Sequence, residues 1–216
     1  MKLFVRLAAL VLLFSFQAEV RAQVVAEPAE RTIRTARAGV TCIAISPKGD
    51  KMVVGLSKGA ELIDLISGKK LFSFPYMEDG QQVVYYAAFN ENGEYLVLIG
   101  HSGKRQVWDV KTGKQEKIIT PFRWIPDARQ VKAMGLDITN SAFDRYYQQA
   151  EAQHDSFKAR AVKDGVVEFL DPQGQVVQKL VFPENKDVHH RAPCLFHEGR
   201  FITGTDDGRV LFYTLR

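Results

Sequence analysis

Four potential metal ligands, His189, His190, Cys194 and His197, fall within nine positions of one another near the C-terminus. Imidazole and thiolate are the donors zinc prefers. The spacing does not suit a tetrahedral site, however. An extended strand sends successive side chains to opposite faces, Pro193 interrupts the run, and Cys194 is expected to point into packing. No metal is expected. Ser141 and Ser156 have no evident base and orienter beside them. The chain carries no G-x-S-x-G, no H-E-x-x-H and no glycine loop that would cradle a phosphate. Asp and Glu fall mostly in turns, where water solvates them. The reading is a protein with no catalytic residues and no cofactor.

Binding chemistry is better represented. Pro121-Phe122-Arg123-Trp124-Ile125-Pro126 sets Arg and Trp side by side between two prolines. These are the residue types most enriched where binding energy concentrates. Lys58, His101, His189 and His190 join Arg123 and Trp124 as candidate partner-binding residues.

The elements that must position them repeat along the chain. Val53-Val54-Gly55-Leu56-Ser57-Lys58-Gly59 leads into Ala60-Glu61-Leu62-Ile63-Asp64. Leu98 to Gly103 leads into Lys104 to Asp109, and Ile202 to Gly208 leads into Arg209 to Tyr213. Ala161 to Gly165, followed by Val166 to Asp171, is a weaker copy. Each copy is an apolar strand, a turn ending in Gly and a second strand. The glycines suit turn positions of positive φ. Gly59 and Gly103 are 44 residues apart and Gly165 and Gly208 are 43 apart. The interval from Gly103 to Gly165 is 62, so it carries about 18 extra residues. Upstream strands end in Ser46-Pro47-Lys48-Gly49-Asp50 and Asn90-Glu91-Asn92-Gly93-Glu94, which supply turn chemistry. Downstream strands Lys70–Pro75, Lys117–Phe122 and Lys179–Pro183 each end near an aromatic and a proline.

Ser46 to Asp50 resembles the S-P-D-G turn of WD40 repeats. Trp108-Asp109 with Thr112-Gly113 resembles their W-D-x-x-T-G ending. The resemblance covers about residues 30–216, although the family's Gly-His dipeptide stands at the start of no blade. It implies an all-β fold, a small WD40-like β-propeller of about four blades. It also implies that the loop bearing Arg123 and Trp124, the loop Glu184 to His190 and the turns bearing Lys58 and His101 share one face. Trp124 is then either a binding anchor or a plug packed over the channel mouth.

The last blade reaches Arg216 after three strands. Glu30 to Ala36 has a strand-like pattern and is expected to supply the fourth, removing a bare edge. A ring closed by the chain itself is the first expectation. A ring left open and completed by a second copy or another protein is the alternative. The extra residues of blade 3, Ser141 to Asp155, read as a short amphipathic helical insertion. Ala142, Phe143, Tyr146, Tyr147 and Ala150 lie at helical spacing. Cys42 and Cys194 sit on innermost strands of blades 1 and 4. They form either a disulfide or, the favoured reading, two small buried side chains.

Lys2 and Arg6, the apolar run Leu7 to Phe16, and Val20-Arg21-Ala22 read as a signal peptide over residues 1–22. Residues 23–29 read as a linker and 30–216 as the domain. A periplasmic or secreted protein with no stable membrane span after cleavage is expected. The net charge of +4 is mild and spread along the chain, so nucleic acid is not an expected partner. The functional expectation is a non-catalytic protein–protein interaction scaffold that binds an envelope or secreted protein. The alternative is a propeller that binds or processes a sugar or other small ligand at its central channel. Self-association that completes a ring is a third possibility.

Overall fold

A computed structural model describes residues 24–77, 80–100, 105–116, 149–162, 165–181 and 193–216. Four antiparallel sheets follow one another in chain order. Blade 1 contains β2 (Val40–Ile45), β3 (Lys51–Leu56), β4 (Ala60–Asp64) and β5 (Lys70–Phe74). Blade 2 contains β6 (Tyr86–Phe89), β7 (Tyr95–Ile99) and β8 (Arg105–Asp109). Blade 3 contains β9 (Glu151–His154), β10 (Phe157–Val162), β11 (Val166–Leu170) and β12 (Val176–Val181). Blade 4 contains β13 (Cys194–His197), β14 (Arg200–Gly204) and β15 (Arg209–Thr214). Its fourth strand is β1 (Arg31–Arg34), which pairs with β15 in the register Arg31↔Phe212 to Arg34↔Arg209. The N-terminal strand therefore completes the last blade, as expected from the bare edge it covers. The arrangement is all-β and propeller-like.

Turn chemistry explains why the strands stop where they do. Ser46 Oγ accepts from Lys51 N at 3.0 Å and donates to Asp50 Oδ1 at 2.8 Å. Asn90 Oδ1 does the equivalent work in blade 2, accepting from Tyr95 N at 3.0 Å. In blades 1, 2 and 3 an Asp at or just after the end of the third strand caps the next turn. Asp64 accepts from Ser67 N, Asp109 from Thr112 N, and Asp171 from Gln173 N and Gln175 N. Gly59, Gly165 and Gly208 have φ of +75°, +69° and +83°. A Cβ on Gly59 would lie 2.5 Å from Phe74 O, so this turn needs glycine both for its φ and for space.

Three seams hold the blades together. Val53, Leu62 and Phe74 of blade 1 pack on Leu96, Leu98 and Trp108 of blade 2, with the Phe74 and Trp108 rings 5.0 Å apart. Met52, Val54 and Ile63 of blade 1 pack on Ile202, Val210 and Phe212 of blade 4. Ala159, Val167 and Phe169 of blade 3 pack on Phe201, Leu211 and Tyr213 of blade 4. The spatial order is thus 2–1–4–3. Among the described strands, no fourth seam joins blade 2 to blade 3. The expected self-closed ring is corrected to an open arc. Side-chain chemistry supplies the reason. The outward face of blade 3 carries a charged row beside a row of valines, whereas Val97, Ile99 and Val107 on that of blade 2 are each 1% exposed and so already covered. Packing one on the other would strand ionised groups in an apolar layer.

Two further expectations change. Glu151–His154, inside the span read as a helical insertion, is strand β9 and pairs Phe157↔His154 to Arg160↔Glu151 with β10. Residues 141–148, the rest of that span, lie outside the described residues. The stretch read as a linker belongs to the body. Val24 and Val25 are buried in the seam between blades 3 and 4. Their N–H groups both donate to Gln178 Oε1, at 2.8 and 2.9 Å, and Gln178 Nε2 donates back to Val25 O at 3.0 Å. Periodicity could not show this, because Gln178 is more than 150 residues away. Among the described residues, no helix is long and apolar enough to cross a membrane.

Candidate functional site

The face expected to bind is built from the turns between second and third strands and the loops between blades. Of its six candidate residues, the structure places Lys58. His101, Arg123, Trp124, His189 and His190 lie outside the described residues. Lys58 is exposed at the tip of the β3–β4 turn. That turn is held from both sides. Ser57 N donates to Gly39 O at 2.9 Å, Gly39 N donates to Ser57 Oγ at 3.1 Å, and Gly59 N donates to Gln82 O at 2.8 Å. The strand entering blade 1 and the loop leaving it are therefore tied to the Lys58 turn. This makes a fixed platform of three chain segments. Beneath it, the Thr41 hydroxyl donates to the Val84 carbonyl, joining the innermost strand of blade 1 to the approach to blade 2.

Both cysteines are buried thiols. The candidate disulfide between Cys42 and Cys194 is not formed. The two side chains point into different seams, Cys42 toward blade 2 and Cys194 toward blade 3. Burial pushes each thiol up to about 12. A thiol held that high stays protonated, and so poorly nucleophilic, near neutral pH. Cys194 and His197, three positions apart on β13, face opposite sides of the sheet. Among the described residues, no three His, Cys, Asp or Glu side chains gather as a metal site.

Five carboxylates among the described residues are held by hydrogen bonds within the fold. Hydrogen bonds from Lys51 and Ser46 hold Asp50 below its ordinary range, and those from Ser67 do the same for Asp64. For Asp207, burial pushes the carboxyl up, but hydrogen bonds from Thr205 and Arg209 outweigh it and the net shift is downward. Glu168 is lowered by Arg160 and Lys179, and Glu30 by Thr214 and Arg200.

Three hollows among the described residues lie away from the Lys58 turn, a feature that sequence reasoning missed. One, of about 430 Å³, runs between the turns of blades 1 and 2, with Lys48, Asp50, Glu94, Asp109 and Lys111 in its wall. Another, of about 250 Å³, lies between blades 4 and 1. There the Arg31 guanidinium donates to Leu65 O at 2.5 Å and Ile66 O at 3.2 Å, and sits 5.7 Å from the Phe212 ring centre. Ile66 stands 83% exposed at its rim. A third, of about 480 Å³, lies on blade 3 around Lys158 and Asp171. The walls of the first two come from segments far apart in the chain, so no local motif marks them. Their mixed charges select no single ligand chemistry.

Solved structures similar to this chain include the WD40 repeats of RRP9, at 13% identity and a TM-score of 0.40, covering 88% of this chain and 56% of that one. U3-55K matches at 13% identity and a TM-score of 0.38, over 85% of this chain and 54% of that one. A computationally designed protein, Ika8, matches at 19% and a TM-score of 0.30, over 81% and 45%. The chain therefore spans about half the length of these structures. No family model and no curated protein matches the sequence. The fold assignment rests on the sheet order and register above.

Proposed function

We propose that the chain is a non-catalytic protein-interaction scaffold acting in the cell envelope or the extracellular space, and that its partner is an envelope or secreted protein. The state of the reactive groups carries this reading. Both thiols are buried and pushed up to about 12, and the displaced carboxylates are displaced downward by turn and ion-pair hydrogen bonds. Nucleophilic cysteines need the opposite shift, and a general acid needs a raised carboxyl. What the chain offers instead is a rigid frame presenting loops, with Lys58 on a turn pinned to both neighbours. Arg123 and Trp124 are the proposed anchors of the same face, with His101, His189 and His190 around them.

Export rests on the leader-like residues 1–22. The mildly positive, dispersed charge supplies no stripe for nucleic acid.

The test is cross-linking in cells followed by affinity capture and quantitative mass spectrometry. Wild type enriches a defined partner. The double variant Arg123→Ala/Trp124→Ala loses it, and Lys58→Ala weakens it by about threefold to tenfold, the scale of about 1 kcal/mol at a rim charge. An unchanged partner set in the double variant rejects the assigned face. Full-length chain recovered only from the cytosol rejects the assigned location.

A further inference from the structure

We propose that the outward face of blade 3 is a homotypic interface, on which a second copy of this chain docks about a twofold axis parallel to the strands. Blade 3 ends the arc. Its inner face fills the seam with blade 4, and its other face meets no described sheet. The register of that face places Glu151, Arg160, Glu168 and Lys179 in one row across β9, β10, β11 and β12. The row reads minus, plus, minus, plus. Arg160 donates to Glu168 Oε2 at 2.8 Å, and Lys179 Nζ lies 3.0 Å from Glu168 Oε1. Lys158, two residues along β10, reaches Glu151 at 2.5 Å. Two residues along in the other direction, Val162, Val166 and Val181 make an apolar row on the same face. Lys179 and Val181 are 56% and 61% exposed.

A twofold axis along the strands keeps each row at its height and reverses its order. Minus-plus-minus-plus then meets plus-minus-plus-minus. Glu151 faces the partner subunit's Lys179, and Arg160 faces the partner subunit's Glu168. At the height of the valine row, Val162 faces the partner subunit's Val166. No charge is left against an apolar layer, which is what packing on the far face of blade 2 would cause. Charge complementarity and row-on-row matching thus select a second copy over self-closure. The proposal stands apart from the loop face, because it uses none of Lys58, His101, Arg123, Trp124, His189 or His190.

The test is mass in solution by sedimentation equilibrium across protein and salt concentration. Wild type is expected at twice the chain mass at low salt, with dissociation increasing as salt rises. Glu151→Lys and Lys179→Glu each put like charges opposite one another and fall to the single-chain mass. An equimolar mixture of the two restores charge pairing on both sides and returns to twice the mass. Val181→Asp, which leaves every ion pair in place, also falls to the single mass. Circular dichroism confirms that each variant is folded. Wild type at the single-chain mass throughout overturns the proposal. So do charge variants that stay paired, or a mixture that fails to pair. Partner capture lost by Arg123→Ala/Trp124→Ala but kept by Lys179→Glu separates this interface from the loop face.

Discussion

Blades 1 and 3 share one four-strand plan, yet their second strands are patterned differently. In β3, Met52, Val53, Val54, Gly55 and Leu56 are all buried. In β10, Ala159 and Ala161 are buried while Lys158, Arg160 and Val162 are only partly covered. Blade 1 stands between blades 2 and 4, so both of its faces are seams. Blade 3 stands at the end of the arc and has one seam. A sheet covered on both faces needs a continuous apolar run, and a sheet covered on one face needs alternation. The same contrast holds for blade 4, where Phe201 to Gly204 is continuously buried between blades 3 and 1. Strand periodicity here therefore reports whether one or both faces of a sheet are covered, and β7 of blade 2, at the other end of the arc, is buried continuously from Leu96 to Ile99.

Charge insertion tests that contrast most severely. Val53→Asp and Val54→Asp enter opposite seams of blade 1, and each is expected to cost about 4 kcal/mol or more, enough to leave the chain largely unfolded. At protein concentrations low enough for wild type to be a single chain, Val181→Asp on the outward face of blade 3 is expected to stay within about 0.5 kcal/mol of wild type. Urea unfolding midpoints measure both. Equal losses on the two blades would remove the distinction between a sheet covered on both faces and one covered on a single face.

A smaller effect is expected where blade 3 is strapped to blade 4. Gln178→Ala leaves the Val24 and Val25 N–H groups without their acceptor and is expected to cost about 1–3 kcal/mol. Amide exchange at Val24 and Val25 should accelerate, while exchange at Val53 and Val54 changes little. Protection lost equally across blade 1 would mean that the strap stabilises the whole arc rather than one seam.

The smallest effect is electrostatic. The Arg160 and Lys179 hydrogen bonds hold Glu168 below its ordinary 4.5. A carboxylate lowered in the folded state stabilises the fold above that ordinary value, and the contribution disappears as pH falls through the folded value. Stability should therefore decline on acidification from about pH 4.5 downward, with Asp50 and Asp64 contributing in the same sense from 3.8. Glu168→Gln should flatten the slope slightly while leaving the shape of the melt unchanged. An acid slope identical to wild type would show that the charged row of blade 3 adds nothing to folding.

Much of the architecture was legible along the chain, because its determinants are local. Gly59, Gly165 and Gly208 are at positive φ, and the Ser46, Asn90, Asp64, Asp109 and Asp171 turns close through bonds that span five residues or fewer. The role of Asp109 is one such local bond, to Thr112 N. Trp108, by contrast, packs on Phe74 while its Nε1 has no partner among the described residues, so the resemblance carries the turn but no polar network at this Trp. Glu151 to His154 was misread because Ala142 to Ala150 sets a helical spacing that runs into it. Pairing with β10 overrides a weak local preference.

Sequence alone determined four strand–turn–strand units, their turn residues and an N-terminal strand for the last blade, since each depends on contacts between near neighbours or on a period that repetition makes visible. Tertiary structure alone decided which faces became seams, where the arc ends, that Val24 and Val25 latch onto Gln178, and that Cys42 and Cys194 point into different seams. Those outcomes depend on which side of one sheet meets which side of another. That choice is made between residues as much as 153 positions apart or more and leaves no local mark.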